Sequence, residues 1–352
     1  GRSEIPRRFV VLVAIVTVVV TKTAFGRYDS NHFSVLLGLI VVTVAITPLL
    51  GILRRGIEIA LAVLFVVYLA GILVVEQRPV AVLQAPVRAV DRVLTLGWPD
   101  LATRHIEQSK ARQRAHYGVP DRFIKAIGSG TVHVDPDETS VVWAYGLAWR
   151  PAPVFQTYSV YTPTLDKLNG DTLASGPQFV LSRRSPTSPA TGINDRLGVQ
   201  ENPLYSLALL CNYTRTDAEN GWILFSRNGS HCGPLAPLAE VTVHDGDVVN
   251  VPAPSAPGMA VLVGIGLKPT VLDRAFMGAV VPLTAFTVVL DGMSYRLISG
   301  NAAEPFLVAS PASADGTNLE INARTIGIGR TRSLGQGGVA ARLRFYEMRV
   351  QS

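Results

Sequence analysis

Four ionisable side chains crowd the stretch KTAFGRYDSNHF, residues 22–33: Lys22, Arg27, Asp29 and His32. In this pattern Asp29 is a candidate general base acting on an acceptor hydroxyl, and His32 a candidate proton shuttle. Lys22 and Arg27 are the residue types that hold a lipid phosphate through charge-assisted hydrogen bonds. The same types also anchor chains at a membrane interface, so the stretch has two readings. The rest of the chain carries no G-x-S-x-G elbow, no phosphate-cradling G-x-x-x-x-G-K-[ST] and no H-E-x-x-H.

A second candidate region is aromatic. VVWAYGLAWRPAPVFQTYSVYTPTLDKLN, residues 141–169, holds Trp143, Tyr145, Trp149, Phe155, Tyr158 and Tyr161. Read as a strand, it sets Trp143, Tyr145 and Trp149 on one face by the two-residue period. Trp143, Trp149, Tyr158 and Tyr161 offer flat apolar rings of the kind on which sugars stack, with Gln156, Asp166 and Asn169 as hydroxyl partners. Core packing is the competing reading. HVDPDETS, residues 133–140, puts Asp135, Asp137 and Glu138 close together. Oxygen ligation of a divalent cation is one reading of it, and a carboxylate-capped Asp-Pro turn the other. No cofactor is identified, no metal ligand is assigned, and the divalent cation stays an open question. Cys211 and Cys232 flank a hairpin-like segment and are candidates for a disulfide worth about 3 kcal/mol, against the alternative of two buried thiols.

These groups need elements to hold them. The chain has 352 residues and a net charge of +6, with only 16% of residues charged, and its apolar excess lies in the first 76 residues. Three apolar runs, about 9–25, 33–53 and 56–75, are read as transmembrane helices. Arg2, Arg7 and Arg8 before the first run, and Arg54 and Arg55 in the turn between the second and third, place those two segments in the cytoplasm, which sends Lys22–His32 and everything after Glu76 outside. Residues 77–130 read as a helical stalk, with residues 100–117 a solvated helix ending at Gly118.

From residue 131 the texture is short β-branched and aromatic runs between Gly, Pro, Asn and Asp clusters. Strands are predicted at 131–134, 140–149, 154–161, 178–182, 222–227, 240–243, 248–251, 259–267, 286–290, 295–299, 319–326 and 340–350. Asp245-Gly246 and Asp291-Gly292 are the best hairpin turns. The expected fold is therefore a membrane-α plus all-β chain: three spans, a stalk, and an extracytoplasmic β-sandwich or jelly roll over 131–352.

The pieces WAYGLAWRPAPVFQTYSVYTPTLDKLN, PQFVLSR, NPLYSLALLCNY and GWILFSRNGSHC, with KTAFGRYDSNHF, resemble segments of large bacterial multi-pass membrane proteins of unassigned activity. Those proteins look similar to glycosyltransferases of the multi-pass C-type fold. The resemblance implies a multi-pass cell-membrane protein of envelope glycan assembly, with membrane lipid, a polyprenyl-phosphate sugar and a glycan acceptor as partners. It also implies further membrane helices, from another subunit or from sequence preceding residue 1. Nucleic acid is not among the expected partners. A non-catalytic scaffold or transporter accessory subunit, docking proteins through its β-domain, is the alternative.

Overall fold

The structure is a computed structural model. It describes residues 85–183, 192–269, 286–311, 321–330 and 340–351, together with Ile15, Val16, Val19 and Ile59. The chain divides into two units, 1–103 with 275–283 and 104–274 with 284–352. The described part of the first unit holds the helix α1 (Ala85–Gly97). The polar helix α2 (Pro99–Tyr117) follows, with Asp100 in its first turn and Arg114 and His116 in its last.

The second unit opens with the short helix α3 (Asp121–Ile127) and then builds a five-stranded sheet. Its strands are β1 (Thr131–Asp135), β2 (Ala148–Trp149), β3 (Phe179–Ser182), β4 (Tyr213–Glu219) and β5 (Trp222–Arg227), in the order β2-β1-β3-β5-β4. β1 runs parallel to both β2 and β3, whereas β5 is antiparallel to β3 and β4. Parallel neighbours need crossover helices. The chain supplies α4 (Ser140–Tyr145) between β1 and β2, and α5 (Pro163–Ser175) between β2 and β3. After β3 come α6 (Gly198–Glu201) and α7 (Pro203–Asn212).

The two-residue period sorts the faces of this sheet. Val132, Val134, Leu181 and Leu224 pack with Phe123 of α3 and with Val141 and Val142 of α4. Val180, Ile223 and Phe225 pack on the other face with Leu173 of α5 and with Tyr205 and Leu209 of α7. Helices therefore cover both faces.

Strands β6 (Ala236–Val243), β8 (Met259–Lys268), β11 (Phe306–Ala309) and β13 (Ala340–Arg349) form one antiparallel sheet, ordered β11-β8-β13-β6. β7 (Val248–Asn250), β9 (Phe286–Leu290), β10 (Met293–Arg296) and β12 (Thr325–Arg330) form another, ordered β10-β9-β12-β7. One apolar core lies between them, including Val261, Val263, Phe286, Val288, Ile328, Leu343 and Phe345. Leu197, Val199 and Leu210 join it, so α7 is covered by apolar residues on two sides. The Cys211–Cys232 disulfide is formed, with the Cα atoms 5.1 Å apart. It ties the end of α7 to the segment that bridges Val350 at the end of β13.

The expected fold of three transmembrane helices above an all-β domain is overturned. Among the described residues the fold is mixed α/β with three sheets, and no helix is long and apolar enough to cross a membrane. The runs 9–25, 33–53 and 56–75 lie outside the described residues apart from Ile15, Val16, Val19 and Ile59. The predicted strand 140–149 is mostly the helix α4, closed by Gly146 in the left-handed region at φ 67°. The predicted strand 154–161 is a loop with a 3-10 turn at Thr157–Ser159. Asp291-Gly292 does make the two-residue β9–β10 turn, with φ of 48° and 82°. Asp245-Gly246 is no hairpin, because β6 and β7 belong to different sheets.

Candidate functional site

The carboxyl ends of β1, β2 and β3 point to one edge of the sheet, since the three strands are parallel. From β1 the chain moves to a neighbour on one side, β2, and then crosses to the other side, β3. In open α/β sheets a reversal of this kind leaves a crevice where ligands bind. Two loops, residues 136–139 and 150–162, and Arg183 just after β3 meet along that edge.

Asp135 closes β1 and is fully buried. Its carboxylate accepts hydrogen bonds from Thr157 Oγ1 at 2.7 Å and from Ser182 Oγ at 3.1 Å. Its carbonyl accepts from the Arg183 N–H at 2.8 Å. One side chain thus sews together the ends of two strands and the β2–α5 loop. Beyond the cis Asp135–Pro136 bond stand Asp137 and Glu138. Burial pushes the Glu138 carboxyl up to about 7, and the negative charge and hydrogen bond of Asp137 push the same way, while Arg183 pulls back. Arg183 Nη1 lies 3.4 Å from Glu138 Oε1, with its guanidinium over the rings of Tyr117 and Trp222 at 5.9 and 5.4 Å. A carboxyl poised near neutrality can both donate and accept a proton or a hydrogen bond.

Beyond the Arg150 N–H bond to Val132 O of β1, the β2–α5 loop, residues 150–162, takes its shape largely from buried polar side chains. Asn169 of α5 accepts from Val154 N at 2.9 Å and donates to Val154 O at 3.0 Å. His133 Nδ1 accepts from Ala152 N at 3.3 Å. Asn202 donates to Thr157 O at 3.4 Å, Arg196 to Tyr158 O at 2.8 Å, and Asn301 to Val160 O at 2.9 Å. A Cβ at Gly300 would run into the Tyr161 carbonyl, so only glycine lets the two backbones approach so closely. With its backbone held from within, the loop leaves Phe155, Gln156 and Tyr161 outside. Trp149, at the end of β2, is 42% exposed and meets Phe155 edge to face with ring centroids 5.7 Å apart. Tyr161 is 48% exposed and is fixed from beneath by Arg196, which donates to its hydroxyl at 3.0 Å and sits 5.2 Å from its ring centroid.

The candidates read from the sequence are distributed as follows. Trp149, Gln156 and Tyr161 lie exposed at the carboxyl edge, with Tyr158 half-buried among them. Trp143 is exposed on α4 beneath the Lys110 ammonium at 5.7 Å, and does not share a strand face with Trp149. Asp166 is fully buried and is no surface ligand. Its carboxylate accepts from the N–H groups of Leu204 and Tyr205 at 2.8 and 3.1 Å, capping the first turn of α7. Gly170, one turn further along α5, lets the two helices close, since a Cβ there would stand 3.0 Å from Leu204 O. Lys22, Arg27, Asp29 and His32 lie outside the described residues. Among the described residues no group of three His, Cys, Asp or Glu side chains is placed to hold a metal. Asn169, read as a hydroxyl partner, is fully buried and holds the Val154 backbone instead. Arg183, Arg196 and Asn301 carry no local pattern that sets them apart in the sequence. No family model, no curated protein and no solved structure matches this chain.

Proposed function

We propose that this chain binds a carbohydrate along the carboxyl edge of the mixed sheet, outside the cytoplasm, as part of cell-envelope glycan assembly. The observation that carries the proposal is an inflexibly held loop with aromatic rings turned outward. Buried side chains fix the loop backbone while Trp149, Phe155 and Tyr161 stay exposed. Exposing three rings forgoes the burial energy of each, a cost that a binding role explains. Flat faces with polar tips suit the apolar faces and hydroxyl rims of sugar rings. Asp137 and Glu138 on the same edge add acceptors and, through Glu138, a donor at neutral pH. The disulfide supports an oxidising compartment.

The test is an oligosaccharide array probed with the full chain, followed by titration of the best ligand. Trp149→Ala combined with Tyr161→Ala should weaken that ligand by about tenfold or more, the loss of two stacking faces, with an unchanged unfolding midpoint. Equal binding by the variant, or no ligand on the array, would remove the proposal.

A further inference from the structure

Beneath Tyr161 lies a polar seam where residues 196–202 meet the segment that follows β10. Arg196 and Glu201 are each 3% exposed in the side chain, with Arg196 Nη1 3.6 Å from Glu201 Oε1, an ion pair too long to be a hydrogen bond. Arg196 forms a β-bridge to Arg296 at the end of β10. Gln200 clasps the Ile298 backbone, donating to its carbonyl at 2.9 Å and accepting from its N–H at 2.8 Å. Asn301, in the 3-10 turn Ser299–Asn301, donates to Glu201 O and to Val160 O, both at 2.9 Å. Through this seam the sandwich reaches the aromatic loop.

A seam kept only for stability would not be built this way. Taking two charges out of water costs more than a loose ion pair returns, and apolar residues of similar volume often serve a fold as well or better. Arg196 Nε and Asn301 Oδ1 are buried with no hydrogen-bond partner among the described residues, and such groups in a native fold call for an explanation. Asp195, just before Arg196, has φ of 59°, a left-handed conformation uncommon for a residue with a side chain. Each feature is unfavourable by itself. Together they fix the direction of the Arg196 guanidinium, whose two ends serve two points of one loop. Nη1 donates to Tyr158 O at 2.8 Å and Nη2 to the Tyr161 hydroxyl at 3.0 Å, with the ring centroid 5.2 Å away. A lysine has no planar fork with which to reproduce that geometry.

We infer that Arg196 is the positioning residue of the Tyr161 ring, held in place by the sandwich through Glu201 and Asn301. The sandwich is then part of the sugar site and not a separate support. The inference rests on the sugar reading above and deepens it: the angle at which Tyr161 is held sets how tightly the ligand binds.

Fluorine resonance of the full chain labelled with 3-fluorotyrosine tests this. The chain has ten tyrosines, and the signal absent from Tyr161→Phe belongs to residue 161. Arg196→Met combined with Glu201→Gln removes both charges at similar volume. The signal of residue 161 should sharpen and move toward that of free 3-fluorotyrosine, while the urea unfolding midpoint stays that of the native chain. The best sugar from the array should bind about fivefold more weakly, near the loss of one stacking face. Arg196→Lys keeps a charge opposite Glu201 and should show the same changes in smaller measure, which keeps the test decisive if the double variant does not fold. An unmoved fluorine signal overturns the inference. So does a loosened ring with unchanged sugar affinity, because the ring angle would then set nothing. A midpoint that falls in step with affinity in both variants assigns the seam to stability and overturns it as well. If the array yields no sugar, the reading of the site fails, and the fluorine signal alone decides whether Arg196 holds the ring.

Discussion

The mixed sheet and the antiparallel sheets solve the same problem with different materials. In the sandwich, Val261, Val263, Val288, Ile326, Leu343 and their neighbours bury only hydrocarbon, and Thr287 is the one buried polar residue in a described strand of β6–β13. In and around the mixed sheet, His133, Asp135, Thr157, Asp166, Asn169, Ser182, Asn202 and Ser206 are all buried. Each such group loses water and must recover its hydrogen bonds inside, or the fold is penalised. The described core of the sandwich is almost wholly apolar. The mixed sheet accepts polar burial, and what it obtains is a loop and a helix terminus fixed in position beside the strand ends.

The difference should appear first in truncations. Asp166→Ala removes a buried carboxylate and strands two N–H groups at the start of α7. The expected loss is about 4 kcal/mol, from the unsatisfied donors and the lost interaction with the helix terminus. Val263→Ala, in the core of the sandwich, should cost about 3 kcal/mol through lost burial and a cavity. Urea unfolding of both variants checks the pair. An Asp166→Ala cost below that of an exposed substitution such as Thr216→Ala would mean that the polar burial is incidental, and the comparison between the two regions would fail.

An effect comparable to that of Val263→Ala comes from the bond that joins the regions. Cys211 belongs to α7, whereas Cys232 bridges the end of β13. Replacing both by serine should cost about 3 kcal/mol, from the greater freedom of the unfolded chain. Unfolding of the native protein with and without reductant should give the same difference. If reductant leaves the midpoint unmoved, the link does not constrain the chain.

How much of this was legible beforehand varied with the kind of force at work. β5 and β9 fall on the predicted boundaries because β-branched and aromatic residues fill them and turn residues bound them. α2 and the disulfide were also readable, from charge pattern and from cysteine spacing. SVVWAY was not, because Val141, Val142 and Trp143 favour strands by propensity, while packing of Val141 and Val142 on the sheet makes them a helix. Some signals went unread: Thr162-Pro163 ahead of Asp166 marks the start of α5, where the Thr162 hydroxyl accepts from Leu165 N at 3.4 Å. Asn202-Pro203 marks α7 in the same way, and Asn220-Gly221, with φ of 53° and 76°, closes the β4–β5 hairpin. The site was the least legible part. Gln156 and Tyr161 could be chosen by type, and so was Asn169, though for a surface role rather than its buried one; Arg196 and Asn301 act through strand order and helix packing, and residue types do not reveal those.

Glu138 offers the finest test of the contrast, because its sign is opposite to that of a sandwich carboxylate. Its folded value is raised from 4.5 to about 7, chiefly by burial and then by Asp137. Between those values the native state holds a proton that the unfolded chain releases. The contribution to stability is therefore full below pH 4.5 and lost as the pH rises through about 7. Relative to Glu138→Gln, the native protein should lose about 2 kcal/mol between acid and mildly alkaline solution. Glu347 on β13 behaves the other way. The Ser255 backbone N–H and hydroxyl bond to its carboxylate at 2.9 and 2.8 Å and lower its value from 4.5. Its contribution is present above pH 4.5 and lost as the pH falls through the lowered value. Unfolding profiles of Glu138→Gln and Glu347→Gln, each subtracted from the native protein across that range, should slope in opposite directions. Parallel slopes would show that the edge of the mixed sheet is no more desolvated than the outside of the sandwich, and a carboxyl that is charged at neutral pH could not serve as the donor in the proposed sugar site.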